Sequence, residues 1–117
     1  MAAPGGGRMT SLSTHVLDTA HGCPAEGMAI QLLSADGALL FAGATNADGR
    51  CPGLPPIQPG RYQLTFAVAA YYRVRGTALA DPPFLDVIAV HFGVSDDGHY
   101  HVPLLLSPYG YSTYRGS

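Results

Sequence analysis

The chain has 117 residues and a formal net charge of −2; only 12% of its residues are charged, and none is a lysine. This length suits a single domain with a buried core, and the low charge argues against a binding surface for nucleic acid or for an anionic membrane. The two cysteines form no CxxC pair, which indicates free thiols rather than a disulfide framework. No stretch has the apolar run of a signal peptide or a membrane span, so we expect a cytoplasmic protein.

Hydrophobic periodicity predicts a series of short strands and one brief helix. Residues 1–10 are rich in glycine and are expected to be a disordered N-terminal extension, which leaves residues 11–117 as the domain. In chain order, the predicted elements are strands at 11–18, 28–33, 38–42, 61–68, 84–94 and 99–106, with the helix at 69–76. Seven or eight short strands at even spacing, with one short helix, are typical of an antiparallel β-sandwich.

The first and last of these long strands carry histidines on the face opposite their apolar residues. In residues 11–18 the alternation leaves His15 pointing away from the core. In the last strand His99 and His101 also fall on the outward face, while the inward face is formed by Tyr100, Val102, Leu104 and Leu106. Pro103 cannot donate to a sheet ladder, so this strand is expected to have an unpaired side or a bulge near its middle.

Two of the six arginines stand beside glycines in places where a functional role is plausible from the sequence. Arg50 follows an Asp-Gly turn at residues 48–49, and Arg115 lies in the terminal Tyr-Arg-Gly-Ser of residues 114–117. The other four arginines are interpreted as surface charges. Cys51, next to Arg50, is interpreted as a small buried residue rather than a nucleophile.

The residues alone leave three interpretations of the histidines open. No GxSxG, HExxH, Walker or dinucleotide-binding motif is present, and the few carboxylates cannot supply a paired-carboxylate mechanism. His99 and His101 share a face that suits a metal such as zinc, with His15 as a third ligand, although no carboxylate or cysteine ligand lies near them in the sequence. Alternatively, they are surface imidazoles. In the third interpretation, His15 and His101 act in proton transfer, and Arg50 and Arg115 hold a polarised carbonyl substrate.

Five stretches of the chain resemble the 5-hydroxyisourate hydrolases, the enzyme branch of the transthyretin-like family. These stretches are residues 12–18, 45–50, 60–66, 99–108 and 114–117. The most specific parts are the terminal Tyr-Arg-Gly-Ser, which the hormone-carrying transthyretins lack, and His15 and His101, which they replace. Residues 76–86 depart from the family pattern, which leaves the path from the helix to the next strand open.

The resemblance implies a β-sandwich of eight strands and a short helix, assembled as a homotetramer, a dimer of dimers, with sites in the channel between dimers. It implies the hydrolysis of 5-hydroxyisourate to 2-oxo-4-hydroxy-4-carboxy-5-ureidoimidazoline in urate degradation, without a cofactor. It assigns catalytic roles to His15, Arg50, His101 and Ser117. It assigns substrate binding to His15, Arg50, Tyr114, Arg115 and Gly116. The alternative within the same fold is a non-enzymatic carrier of a small ligand.

Overall fold

A computed structural model describes residues 10–96 and 98–116 of the chain. The predicted N-terminal extension lies outside the described residues except for Thr10, which is the first residue of a strand, and the predicted catalytic Ser117 also lies outside them. The elements are β1 (Thr10–Asp18), β2 (Cys23–Pro24), β3 (Ala29–Ser34), β4 (Leu39–Ala44), β5 (Gly60–Ala67), α1 (Val68–Val74), β6 (Val87–Val94), β7 (Gly98–Ser107) and β8 (Gly110–Thr113).

These strands form two four-stranded sheets, and the predicted β-sandwich with one short helix is confirmed. The strand orders are β2-β1-β7-β8 and β4-β3-β5-β6. All pairs are antiparallel except β1 and β7, which run parallel. The purely antiparallel description from the sequence was therefore wrong for this pair. Side-chain alternation defines the faces of a strand but carries no information on the direction of its neighbour.

The core lies between the sheets, where the predicted inward faces of β1 and β7 are confirmed. Leu12 and Val16 of β1 are at most 6% exposed. The same holds for the inward set on β7, namely Tyr100, Val102, Leu104 and Leu106. Burying each large aliphatic side chain contributes about 1.5–3 kcal/mol, so this alternation fixes which face of each strand is turned inward. The odd-numbered residues of both strands are consequently directed away from the core.

The predicted helix and the strand that follows it are both present as α1 and β6, but their ends differ from the predicted ones. The helix spans Val68–Val74, and Gly76, which adopts a left-handed conformation with φ of 82°, stops it. The strand predicted from residue 84 begins at Val87 instead. The carbonyl of Asp86 accepts hydrogen bonds from the first two helical N–H groups, so the segment before β6 completes the helix start rather than joining the sheet. Within the described residues, the single helix is far too short to cross a membrane.

A buried carboxylate at the end of β1 connects this strand to the helix. The side chain of Asp18 is inaccessible to solvent and accepts hydrogen bonds from the hydroxyls of Tyr71, at 2.8 Å, and Tyr72, at 3.0 Å. His21 donates from Nδ1 to the same carboxylate at 2.7 Å. Burial alone would raise the pKa of Asp18, but the hydrogen bonds from Tyr71, His21 and Tyr72 outweigh it and hold that pKa below its ordinary value.

Candidate active site

The parallel pairing of β1 and β7 brings the outward histidines of both strands onto one surface. In this register Ser11 lies beside His99, Ser13 beside His101, and His15 beside Pro103. These residues are all odd-numbered, so their side chains project from the same face of the sheet. His15 and His101 are half-buried, whereas His99 is exposed.

The Asp-Gly turn places Arg50 next to His15. The two residues form an isolated antiparallel bridge, and the His15 ring nitrogen Nε2 donates to the carbonyl of Asp48 at 2.7 Å. The turn closes onto β1 because Gly49 is left-handed, with φ of 77°, and because a Cβ at this position would lie 2.4 Å from the carbonyl oxygen of Val16. Any larger residue would push the turn away from β1, so the local sequence is what positions Arg50.

The tail after β8 returns to His101. The N–H of Gly116 donates to the carbonyl of His101 at 2.8 Å, in the same register as the β7 and β8 pairing. Pairing is interrupted around Pro103, whose carbonyl instead accepts a hydrogen bond from the side chain of Thr113 at 2.7 Å. The unpaired position predicted near Pro103 is thus confirmed. A Cβ on Gly116 would lie 2.5 Å from Cδ2 of His101, so only a glycine lets the tail pack this closely on the imidazole.

The two residues before Gly116 lie on different faces of the sheet. In the shared register Tyr114 falls on the face of His101, where it is exposed, and Arg115 falls on the opposite face. The Arg115 guanidinium lies 3.9 Å from the centre of the Tyr100 ring, and it donates a long hydrogen bond of 3.4 Å to the carbonyl of His99. The structure therefore brings His15, Arg50, His101 and Gly116 together, with Tyr114 at the edge, while Arg115 covers the end of the core.

The surroundings of His101 favour its neutral form. Burial lowers the pKa of His101, and the positive charge of Arg50, together with His15 and His99, lowers it further. A neutral imidazole at physiological pH has a lone pair available to accept a proton. The outward face therefore combines a proton acceptor with a guanidinium, which is the combination needed to activate water beside a carbonyl that becomes negatively charged.

Comparison with known proteins agrees with this arrangement. The model of the HIUase/Transthyretin family matches residues 12–116. The chain belongs to this family. Among its relatives, the 5-hydroxyisourate hydrolase of Pseudomonas aeruginosa is 52% identical and the alignment covers 93% of both chains. That of Ralstonia nicotianae is 53% identical, with 93% of this chain and all of the relative covered, and that of Mus musculus is 43% identical, with 91% and 94% covered.

Solved structures of the HIUase/Transthyretin family share the fold. The 5-hydroxyisourate hydrolase of Klebsiella pneumoniae superposes with a TM-score of 0.80 at 38% identity, covering 93% of this chain and all of that one. A sea bream transthyretin in complex with thyroxine gives 0.79 at 32% identity, covering 90% and 93%. An (S)-allantoin synthase gives 0.85 at 43% identity, but this chain spans only 44% of that protein. A 5-hydroxyisourate hydrolase and a transthyretin in complex with thyroxine therefore both have this fold, so the fold alone does not decide the function.

The metal interpretation of the three histidines gains no support from the geometry. Within residues 10–96 and 98–116, no three histidine, cysteine, aspartate or glutamate side chains are grouped so that they could hold a metal ion. Each predicted ligand has at least one ring nitrogen with another partner, since His15 binds the Asp48 carbonyl and His99 and His101 both bind serine hydroxyls. The rings of His99 and His101 lie nearly parallel, with centres 6.4 Å apart.

Two serines at this site were missed by the sequence reasoning. Ser11 and Ser13 contact the ring nitrogens of His99 and His101 at 2.6 to 2.9 Å. The available signal was the period of two, which puts both serines on the outward face with His15. That signal became informative only with the knowledge that β7 is the neighbour of β1.

Proposed function

We propose that this chain is a hydrolase that converts 5-hydroxyisourate to 2-oxo-4-hydroxy-4-carboxy-5-ureidoimidazoline in purine catabolism through urate degradation. The observation that carries the proposal is the convergence of two histidines, Arg50 and the chain end on one face of a protein about half identical to enzymes named 5-hydroxyisourate hydrolase. The substrate is a small molecule, and the proposed domain is residues 11–117, with residues 1–10 as its extension.

His101 is the general base in this proposal. Its lowered pKa keeps the imidazole neutral, and Nε2 is the ring nitrogen that Ser13 does not occupy. His15 is less suited to the role at Nε2, because that nitrogen faces the Asp48 carbonyl, which can only accept a hydrogen bond. His15 is instead proposed to orient the substrate, with its ring held in place by the hydrogen bond from Nε2 to Asp48.

The reaction is the addition of water to a ring carbonyl. His101 takes a proton from the attacking water, whose oxygen bonds to the carbonyl carbon and gives a tetrahedral oxyanion beside Arg50. The C–N bond of the cyclic amide then breaks, the ring nitrogen takes up the proton from His101, and the six-membered ring opens to a carboxylic acid, which releases its proton to solvent and becomes a carboxylate. Tyr114, Gly116 and Ser117 are proposed to border the substrate on this face. Of these, Gly116 is supported by its contact with His101. The substrate-binding role of Arg115 stays a prediction, because its guanidinium lies over Tyr100 on the opposite face.

We also propose that the protein assembles as a homotetramer, a dimer of dimers. The support is that β6 and β8 are edge strands of different sheets but border one cavity of about 200 Å³, which places both edges on the same side of the sandwich. Two such edges offer unpaired backbone groups to the same edges of a second copy. The exposed side chains of Val87 and Tyr111 are consistent with such a contact.

One assay separates the enzyme from a carrier. 5-Hydroxyisourate is generated from urate with urate oxidase, and its ultraviolet absorbance is followed with and without this protein. We expect accelerated decay with the wild-type protein and none beyond the background with His101→Asn. Decay at the background rate with the wild-type protein would favour the carrier function that a transthyretin bound to thyroxine exemplifies. The proposed tetramer is checked by light scattering, and the cytoplasmic location by cell fractionation.

A further inference from the structure

A continuous chain of hydrogen bonds runs across β1 and β7 behind the proposed base. Ser13 Oγ lies 2.7 Å from His101 Nδ1 and 2.9 Å from His99 Nε2. On the other side of His99, Ser11 Oγ lies 2.6 Å from Nδ1 and donates to the carbonyl of Gly98 at 3.3 Å. Two serines of one strand thus alternate with two histidines of the other, and the chain ends at a backbone carbonyl.

With all four hydrogen bonds made at once, the carbonyl at the end of the chain sets the direction of each of them. A carbonyl oxygen only accepts, so the single hydroxyl proton of Ser11 is directed to Gly98. Ser11 Oγ then accepts from Nδ1–H of His99, and neutral His99 must accept at Nε2 from the hydroxyl of Ser13. Ser13 Oγ in turn accepts from Nδ1–H of His101. The neutral His101 ring therefore has its lone pair on Nε2.

We propose that Ser13, held by His99 and Ser11, is a positioning residue that fixes the proton of His101 on Nδ1 and so presents Nε2 as the base. This inference rests on the proposed function. It goes further by assigning roles to residues outside the predicted site and by defining which nitrogen of His101 accepts the proton from water. The opposite chain direction would place a proton on Nε2 and leave the imidazole unable to act as a base there.

The same contacts also hold the ring through the reaction. When Nε2 takes a proton from water, Nδ1 remains a donor, so the bond to Ser13 persists and no neighbour has to reorient. Ser13 is half-buried between the two strands, and Gly116 packs against the Cδ2 edge of the ring. Orientation of a catalytic group in this way contributes to rate without contributing to substrate binding. Losing it should lower kcat and leave KM nearly unchanged.

The kinetic test compares Ser13→Ala with two other variants. For Ser13→Ala we expect kcat to fall about tenfold to a hundredfold, a part of the effect that general base catalysis contributes, with KM changed less than about twofold. Ser13→Thr keeps the hydroxyl on a β-branched residue suited to a strand and should recover most of the activity. Ser34→Ala is the matched control, because it removes another hydrogen-bonded serine hydroxyl at the end of β3, in the opposite sheet.

A spectroscopic test of the proton position does not depend on enzymatic activity. With histidine labelled by ¹⁵N, the nitrogen chemical shifts above the pKa of His101 report which ring nitrogen carries the proton. We expect an Nδ1–H ring in the wild-type protein and in Ser34→Ala, and a mixture of both forms in Ser13→Ala. A wild-type ring protonated on Nε2, or a Ser13→Ala variant with wild-type kcat, would overturn the inference. Absence of hydrolysis by the wild-type protein would instead refute the proposed function and leave the proton assignment to be judged by the nitrogen shifts.

Discussion

Replacement of Gly116 by alanine is the most direct probe of the contact between the chain end and the base. The added Cβ would lie 2.5 Å from Cδ2, 3.2 Å from Cγ and 3.3 Å from Cβ of His101. To reach the 3.4 Å at which ordinary van der Waals contact begins, Cβ and Cδ2 must separate by about 0.9 Å. Either the imidazole or the tail has to move by that amount, since Gly116 is also tied to His101 through its N–H.

The size of this displacement sets the expected loss of activity. A catalytic group moved by about 1 Å loses about a hundredfold in rate, so Gly116→Ala should lower kcat by about that factor. The fold should survive, because Gly116 lies after the last strand and outside the core. The assay is the decay of 5-hydroxyisourate absorbance, with thermal unfolding followed by circular dichroism on the same samples.

Gly110→Ala provides the matched control for this experiment. A Cβ on Gly110, at the start of β8, would meet only the Ser107 hydroxyl at 3.8 Å, which is an ordinary contact. This variant should retain wild-type activity. A Gly116→Ala protein with wild-type kcat would refute the reasoning, because it would mean that the tail does not rest on His101 during turnover.

The remaining predictions address charge, stability, metal and the chain end. Arg50→Gln should lower kcat by about a hundredfold to a thousandfold. It should also move the acid limb of the pH–rate profile to higher pH, because the charge of Arg50 is the second cause, after burial, of the lowered pKa of His101. An acid limb that does not move would show that Arg50 does not act on the base. Asp18→Ala should lower the free energy of unfolding in urea by at least about 2 kcal/mol, since it leaves the hydroxyls of Tyr71 and Tyr72 without their partner. The kcat of the folded variant should equal that of the wild-type protein. A lowered kcat with unchanged stability would contradict a structural role. Turnover should be unchanged by dialysis against EDTA. A loss of turnover that zinc restores would support the metal interpretation. A tag fused after Ser117 should abolish turnover without changing the midpoint of thermal unfolding. Full activity in the tagged protein would show that the residues before the tag are not part of the active site.

The faces of the strands were predictable from the sequence, but their neighbours were not. Alternation alone placed His15, His99 and His101 outward, because an inward position for any of them would have moved the apolar set of its strand into solvent. Arg50 was identified as the residue leaving an Asp-Gly turn, and Gly49 shows why the turn must lie against β1. The roles of Ser11 and Ser13 depend on the pairing of β1 with β7, which local sequence patterns do not predict.

Arg115 shows a second limit of the sequence reasoning. Its place in the terminal Tyr-Arg-Gly-Ser made it a candidate to hold a polarised carbonyl substrate, yet the period of two that defined the β7 face continues through the tail. Because Gly116 is in register with His101, the preceding Arg115 must face the other way, where it lies over Tyr100. The alternation could have been extended to residue 115 only once β8 was known to pair with β7, since the register fixes the phase.

The parallel pairing explains how a site forms from segments that are distant along the chain. Ser11 and His99 are separated by 88 positions along the chain, and so are Ser13 and His101, but the β1 and β7 pairing places the members of each pair side by side. The inward faces of the same two strands build the core, so core packing and site geometry are set by one register. A slip of one residue would turn every histidine inward. The outward face, by contrast, does not build the core, so side chains on it can differ between a 5-hydroxyisourate hydrolase and a transthyretin bound to thyroxine without changing the sandwich.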